Sequence, residues 1–445
     1  MQPSAVTHPD SGLKSPQPIL VLRREVRESL CDVALVALQH FLPSIVPLFE
    51  RFIEAGLRPD RVFLLGKPYS TVPATAAALT ELGCYVHSPP ERFFTVDRRY
   101  ADSFRMLVTD YWSAVEQRLP PDVRRLIILD EGGWLYRELP DALAERLLVT
   151  GVEHTMYGLI NAPDGHRQEP FVIMAASAAK TRFESPVIAE AIVERLSESI
   201  PELAQLKVGV VGLGNIGQAV ARALLQRDVT RLVGHDSIRE KGDNIKGLEP
   251  VSRADVLGSD VILGCTGTDS LAKGAPFHSL KEEGSNTVRR RWLASCSSGD
   301  VEFLYVAKQL ASRVQAFRTD PFRDVRGEIG KTEITLLNGG FPLNFDRVRE
   351  RERPARIQLT REITYAAVLQ AALCLDPTAD TGEIMFDADI QQQLVEAWLS
   401  TEADRQPHLT HWTPHPVEWW EKHSRGQRPT TRALADFIQV HPSLR

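Results

Sequence analysis

Residues Lys207–Leu225 read KVGVVGLGNIGQAVARALL, and the fold of the whole chain follows from this stretch. The run VGVV is short and apolar, as in a strand buried on both faces. Gly212, Gly214 and Gly217 follow in G-x-G-x-x-G spacing, and an alanine-rich helical segment comes next. Each glycine has its own physical reason. Gly212 permits a tight turn, Gly214 lets backbone approach a pyrophosphate, and Gly217 lets the helix lie close to the strand. The helix start, with Asn215 and Ile216 inside the fingerprint, then points its N–H groups at phosphate charge. A further strand, TRLVGHD, ends in Asp236, about 19 residues past Gly217. A carboxylate there accepts hydrogen bonds from ribose hydroxyls and repels a 2′-phosphate, so the pattern predicts NAD, with Arg239 and Lys241 leaving room for NADP.

Downstream of the fingerprint, VILGCTGT and ASCSSGD end two more strands and place Thr266, Gly267, Ser297 and Ser298 where a nicotinamide ring would lie. Upstream, RVFLLG, CYVH, RRLIILD and PFVIMAAS read as strands, separated by the helical patterns that end at Gly83 and Leu119. Strands alternating with helices imply parallel sheets, whose sites lie beyond the strands' carboxyl ends. The expected fold is α/β, with two Rossmann-like doubly wound domains and a cleft between them. The boundaries read as a disordered lead-in 1–18, a substrate domain 19–200 completed by 345–375, an NAD-binding domain 201–344, and a Trp-rich extension 376–445.

The chain has 445 residues, a net charge of -6 and 25% charged residues. That balance leaves no basic footprint for nucleic acid or anionic lipid, and no apolar run is long enough for a membrane span. The five cysteines are scattered, without CxxC spacing, which argues against disulfides or zinc and for a cytoplasmic setting. His408, His411 and His415 stand among Pro407, Pro414 and Pro416, which break any helix that would align them, so no metal site is expected. The tail tryptophans Trp398, Trp412, Trp419 and Trp420 read as packing residues.

Several segments, in order, resemble S-adenosylhomocysteine hydrolase: IILDEGG, TGVEHTMYGL, SAAKTRFESP, GLGNIGQ, GCTGT, SSGDVEF and LLNGGFPLNF. The resemblance runs from about Val62 to Leu375. It implies a homo-oligomeric enzyme with tightly held NAD, which oxidises a secondary hydroxyl of a nucleoside-like substrate. On that basis Lys180 handles the hydroxyl proton, Glu184 holds the sugar diol, Glu131 is an acid/base, and Thr71 lies near the substrate. Thr150, Asn344 and the fingerprint residues contact NAD. The chain departs from the family where histidines are expected: Tyr69 and Ser298 stand in two of those places, and Glu153 or His154 could replace a missing glutamate. Tyr69 joins Lys180 and Glu131 as a catalytic candidate. These departures predict that hydride transfer survives while thioether hydrolysis is altered. The rival expectation is a non-catalytic NAD and nucleoside sensor or scaffold.

Overall fold

The computed structural model describes residues 20–22, 30, 32–89, 99–160, 169–271, 289–299, 301–315, 317, 320–373, 383–402 and 438–440. Two seven-stranded sheets carry the molecule. The first contains β2 (Val33–Gln39), β3 (Val62–Gly66), β4 (Tyr85–His87), β5 (Arg125–Asp130), β6 (Leu148–Glu153), β7 (Phe171–Ile173) and β15 (Glu383–Met385), in the order β15-β7-β6-β5-β2-β3-β4. All its pairings are parallel. Its central strands are continuous apolar runs because helices cover both faces.

The second sheet contains β8 (Val208–Val211), β9 (Leu232–His235), β10 (Glu249–Pro250), β11 (Val261–Gly264), β12 (Arg289–Ser295), β13 (Val325–Ile329) and β14 (Thr332–Leu336), in the order β10-β9-β8-β11-β12-β14-β13. Only β13 runs antiparallel within it. The chain reverses direction across the sheet at β8 and β11, the switch point where ligands sit in open α/β sheets. Outside both sheets, β1 (Leu20–Leu22) pairs with β16 (Ile438–Val440). The first large sheet therefore begins at Val33, later than the expected boundary at residue 19.

Two long helices connect the units. Ala178–Ser199 leads from the first sheet into the second, with Ser177 capping it by accepting from the Lys180 amide. Pro354–Leu373 returns and buries Ile363, Ala366, Ala367 and Leu369 in the first core. Part of the expected Trp-rich extension 376–445 joins the first unit. Glu383–Met385 adds an edge strand to the first sheet, and helix Ala388–Glu402 packs on helices Pro354–Leu373 and Ala178–Ser199. The reason is its apolar spacing: Ile390, Leu394, Val395 and Trp398 fall on one helical face and are buried, with Trp398 against Phe183 at 5.4 Å. The lead-in 1–18, Trp412, Trp419, Trp420 and the three tail histidines lie outside the described residues.

Candidate active site

The register of the first sheet assembles a polar row. Gln39 lies beside Gly66 and Asp130 beside Glu153 in the strand pairings, so the next residues, His40, Lys67, Glu131 and His154, emerge at the carboxyl ends of β2, β3, β5 and β6. Backbone bonds continue the ladders there, from Lys67 N to Gln39 O (3.1 Å) and from His154 N to Asp130 O (3.0 Å). In sheet order the row reads His154, Glu131, His40, Lys67.

Glu131 is buried and is the row's anchor. Its Oε1 accepts from His40 Nε2 at 2.6 Å and from Lys67 Nζ at 3.0 Å. His40 then accepts at Nδ1 from the Ser70 hydroxyl at 2.5 Å, and its ring stacks on Phe345 at 4.0 Å. Burial works to raise the Glu131 carboxyl, but His40 and Lys67 outweigh it and hold it well below the usual range. For Lys67, burial works to discharge the ammonium, and Glu131 more than compensates, so its pKa is raised. Burial keeps His40 neutral, as its pKa is lowered.

His154 has no such satisfaction. It is 6% exposed, and neither ring nitrogen has a hydrogen-bond partner among the described residues. Burial first, and then the Lys180 charge, push its pKa well below the ordinary value. Glu131 Oε2 is likewise buried without a partner among the described residues. A buried polar atom left unpaired costs about 1–3 kcal/mol, and these three atoms stand at the ends of two adjacent strands, β5 and β6.

The other expected residues fall around this row. Lys180 pairs with Glu184 one turn along the linking helix, both largely shielded from solvent. Tyr69 is buried, with its hydroxyl bonded to Lys67 and to the backbone of Gly299 in the second unit. Burial, partly offset by Lys67, raises its pKa and keeps the phenol neutral. A cleft is lined by Lys67, Tyr69, Glu131, Trp134, Ser298 and Gly299, so strand ends of both sheets meet there. Thr71 instead donates to the Lys67 carbonyl at 2.9 Å, and Glu153 Oε1 accepts from Gly132 N and Thr155 N, which fixes the turn after β5. Both act on the backbone that presents the row.

On the second sheet, helix Asn215–Leu225 begins at the fingerprint with Gly214 as its cap. A Cβ on Gly217 would lie 1.9 Å from the Gly212 carbonyl oxygen, whereas one on Gly214 meets nothing within 4 Å. Gly217 is therefore required by helix-strand contact, and Gly214 borders open space that a pyrophosphate can enter. Asn215 is exposed and Ile216 half-buried at the helix start. Asp236 ends the next strand; its Oδ2 accepts from Leu213 N (2.7 Å) and Oδ1 from Ile238 N (2.9 Å), with Lys241 at 3.4 Å. Burial works against its charge, but these donors hold the carboxyl below its usual range, fit for a ribose diol. Thr266, Gly267, Ser297 and Ser298 lie at the ends of β11 and β12.

Two cofactor expectations meet a different environment. Thr150 is fully buried inside the first sheet and donates to the Pro170 carbonyl at 2.9 Å, so it has no face for a cofactor. Asn344 is buried and its amide donates to Glu352 at 2.8 Å. His40 and Lys67 were missed by sequence reasoning. Each directly follows a strand, and Lys67 follows the recognised run RVFLLG, so position at a strand's carboxyl end was the available signal. Among the described residues no group of three or more His, Cys, Asp or Glu is arranged to hold a metal ion. No described helix is long and apolar enough to cross a membrane.

Comparison with known proteins assigns a class to the stretch that holds the fingerprint. Residues 172–271 match the D-isomer specific 2-hydroxyacid dehydrogenase, NAD binding domain family, and the cofactor of this domain is NAD. The chain as a whole belongs to the family of the uncharacterized proteins MT0113 and Rv0104 of Mycobacterium tuberculosis: each is 30% identical over 386 residues, which span 85% of this chain and 72% of theirs. Solved structures include a D-lactate dehydrogenase from Sporolactobacillus (13% identity, 63% of this chain and 96% of that one, TM-score 0.29). Another is a D-isomer specific 2-hydroxyacid dehydrogenase from Lactobacillus delbrueckii (15% identity, 76% and 95%, TM-score 0.27). Likeness of that degree carries no argument about function.

The dehydrogenase match overturns the resemblance to S-adenosylhomocysteine hydrolase, and with it the nucleoside-like substrate, the hydrolase activity and the sensor reading built on them. The physical reason is that GLGNIGQ, GCTGT, SSGDVEF and LLNGGFPLNF lie at strand ends of the dinucleotide-binding sheet, while the other shared segments lie at strand ends of the first, parallel sheet. Any two-domain protein that brings NAD to a cleft needs small and polar residues at those places.

The glycine geometry makes one prediction here. Gly214→Ala fits the fold but fills the open side of the cradle, so NAD affinity should fall by at least about tenfold while the unfolding midpoint stays put. Gly217→Ala should instead lower the midpoint, because its methyl collides with backbone. Titration calorimetry and thermal unfolding on the pair separate the two effects.

Proposed function

We propose that the chain is an NAD-dependent dehydrogenase that interconverts the hydroxyl and carbonyl forms of a small substrate of the 2-hydroxyacid class. The observation that carries this reading is the match of residues 172–271 to the NAD-binding domain of such dehydrogenases. The unpaired buried atoms of Glu131, which lines the cleft that this domain faces, and of His154 at the adjoining strand end support it.

Bound NAD supplies the hydride acceptor. The chain's part is the proton and the placement. His154 takes the hydroxyl proton onto a free ring nitrogen as the carbinol carbon becomes a carbonyl carbon, and returns it in the reverse direction. Lys180, held by Glu184, donates a hydrogen bond to the same oxygen. Glu131, fixed by His40 and Lys67, offers Oε2 to a second donor on the substrate. Tyr69 joins the two units at Gly299 and closes the cleft against water. The free cysteines Cys84, Cys265 and Cys296 support a cytoplasmic setting.

The test is to mix purified protein with NADH and a panel of short 2-keto acids and follow the near-ultraviolet absorbance of reduced nicotinamide. Loss of that band with at least one acid is expected. A protein that binds NADH yet consumes it with none of them refutes the reading.

A further inference from the structure

Glu302 touches neither the fingerprint nor the polar row, yet its carboxylate is fully buried and surrounded by donors. Its Oε1 accepts from Thr266 N (2.5 Å), Gly267 N (2.6 Å) and the Ser297 hydroxyl (2.6 Å). Its Oε2 accepts from the hydroxyls of Thr266 (2.9 Å) and Ser270 (2.5 Å). Thr266, Gly267 and Ser270 belong to the turn after β11, and Ser297 to the turn after β12. One side chain thus ties together the two loops on the side of the switch point opposite Asp236. Gly264 is bare for this reason, since a Cβ there would lie 2.6 Å from Glu302 Oε2.

Each tied loop carries a glycine that leaves bare backbone beside open space. Gly267 and Gly299 have φ of +71° and +80°, and a Cβ on either would meet nothing within 4 Å. Asp236 sets the adenosine end at β9 and the helix start sets the pyrophosphate, so a dinucleotide runs from there toward β11 and β12. Its second half reaches the bare surface beside Gly267 and Gly299. Gly299 also receives Tyr69, so the same loop faces the first unit.

We propose that Glu302 is a positioning residue for the nicotinamide half of the cofactor: by pinning the loops after β11 and β12 in one arrangement, it keeps a flat backbone shelf open for the ring. The proposal uses only the assignment of NAD, and does not rest on the substrate proposed above. It predicts a selective loss. With the acceptor removed, the amides of Thr266 and Gly267 and the hydroxyls of Ser270 and Ser297 compete for other partners, and the shelf loses its shape. The adenosine and pyrophosphate contacts stay intact.

The experiment compares the affinities of the intact protein, Glu302→Ala and Glu302→Gln for NAD and for ADP-ribose, which lacks the nicotinamide. The alanine variant should bind NAD about tenfold or more weakly and ADP-ribose within about twofold of wild type. The glutamine variant keeps one acceptor oxygen and should fall between. Should the alanine variant fail to fold, the glutamine variant carries the test, with a smaller split in the same sense. Equal weakening for both ligands, or no change for either, overturns the proposal.

Discussion

Replacing His154 with alanine should lower the turnover number by about a hundredfold to ten-thousandfold, the range for loss of a general acid or base, with NAD affinity unchanged. The ring is buried at the end of β6, and both its nitrogens lack partners among the described residues. Its truncation therefore breaks no hydrogen bond in the resting protein, and the unfolding midpoint near neutral pH should move little. A drop in turnover at constant stability distinguishes a catalytic group from a packing one. Burial and the Lys180 charge lower its pKa well below the ordinary 6.5, so the imidazole is a neutral proton acceptor at and below neutral pH. Hydroxyl oxidation should accordingly persist as pH falls through 6.5, where an exposed histidine would already be protonated. Steady-state rates against pH for wild type and His154→Ala check both points, and unaltered turnover in the variant removes His154 from the chemistry.

Glu131→Gln is expected to be the most destabilising single change at the site, by about 3–5 kcal/mol. The substitution keeps shape and removes charge, which leaves the buried Lys67 ammonium without its counterion at 3.0 Å. Adding Lys67→Met should restore much of the loss, because the unpaired charge then disappears too. The pH dependence follows from the same groups. Glu131 has a folded pKa below its unfolded value of about 4.5, so its contribution is present above that value and is lost as pH falls through the folded one. Lys67 has a raised folded pKa, so its share is complete below the unfolded value of about 10.5 and is lost as pH rises through the folded one. His40 and His154 are held neutral, with depressed pKa values, so stability begins to fall as pH drops below about 6.5. Chemical denaturation across pH should show a plateau bounded by these limits, with a shallower acid slope in His154→Ala. An acid slope that is the same in both proteins contradicts the assignment of a buried neutral imidazole at that position.

The second sheet was legible because its glycines are demanded by contacts that the G-x-G-x-x-G spacing records: Gly217 meets the Gly212 carbonyl, and Asp236 directly follows the adjoining strand. The polar row was only partly legible. Glu131, His154 and Lys180 stand in motifs that draw attention, but His40 follows an apolar run with no turn signal of its own. Its importance arises from sheet order, since β2 lies between β5 and β3, and pairing across a parallel sheet is not written in the neighbouring residues. Thr150 shows the opposite failure. Its place in TGVEHTMYGL suggested a cofactor contact, yet β6 lies inside the first sheet and its hydroxyl is spent on Pro170. The tail was hard to read for a simpler reason: its four tryptophans draw attention, while the packing signal was the helical spacing of Ile390, Leu394 and Trp398. Family identity was hardest of all, since loops built around NAD share their small residues whatever reaction follows.

In the proposed reaction hydride passes in this cleft between a nicotinamide and the carbon that bears the substrate oxygen. Incubating the protein with a 2-keto acid and NADH deuterated at the hydride-bearing ring carbon, then analysing the product by mass spectrometry, tests it directly. The account predicts a 2-hydroxy acid with a single deuterium on its carbinol carbon. A product without deuterium, or keto acid recovered unchanged with the cofactor bound, contradicts it.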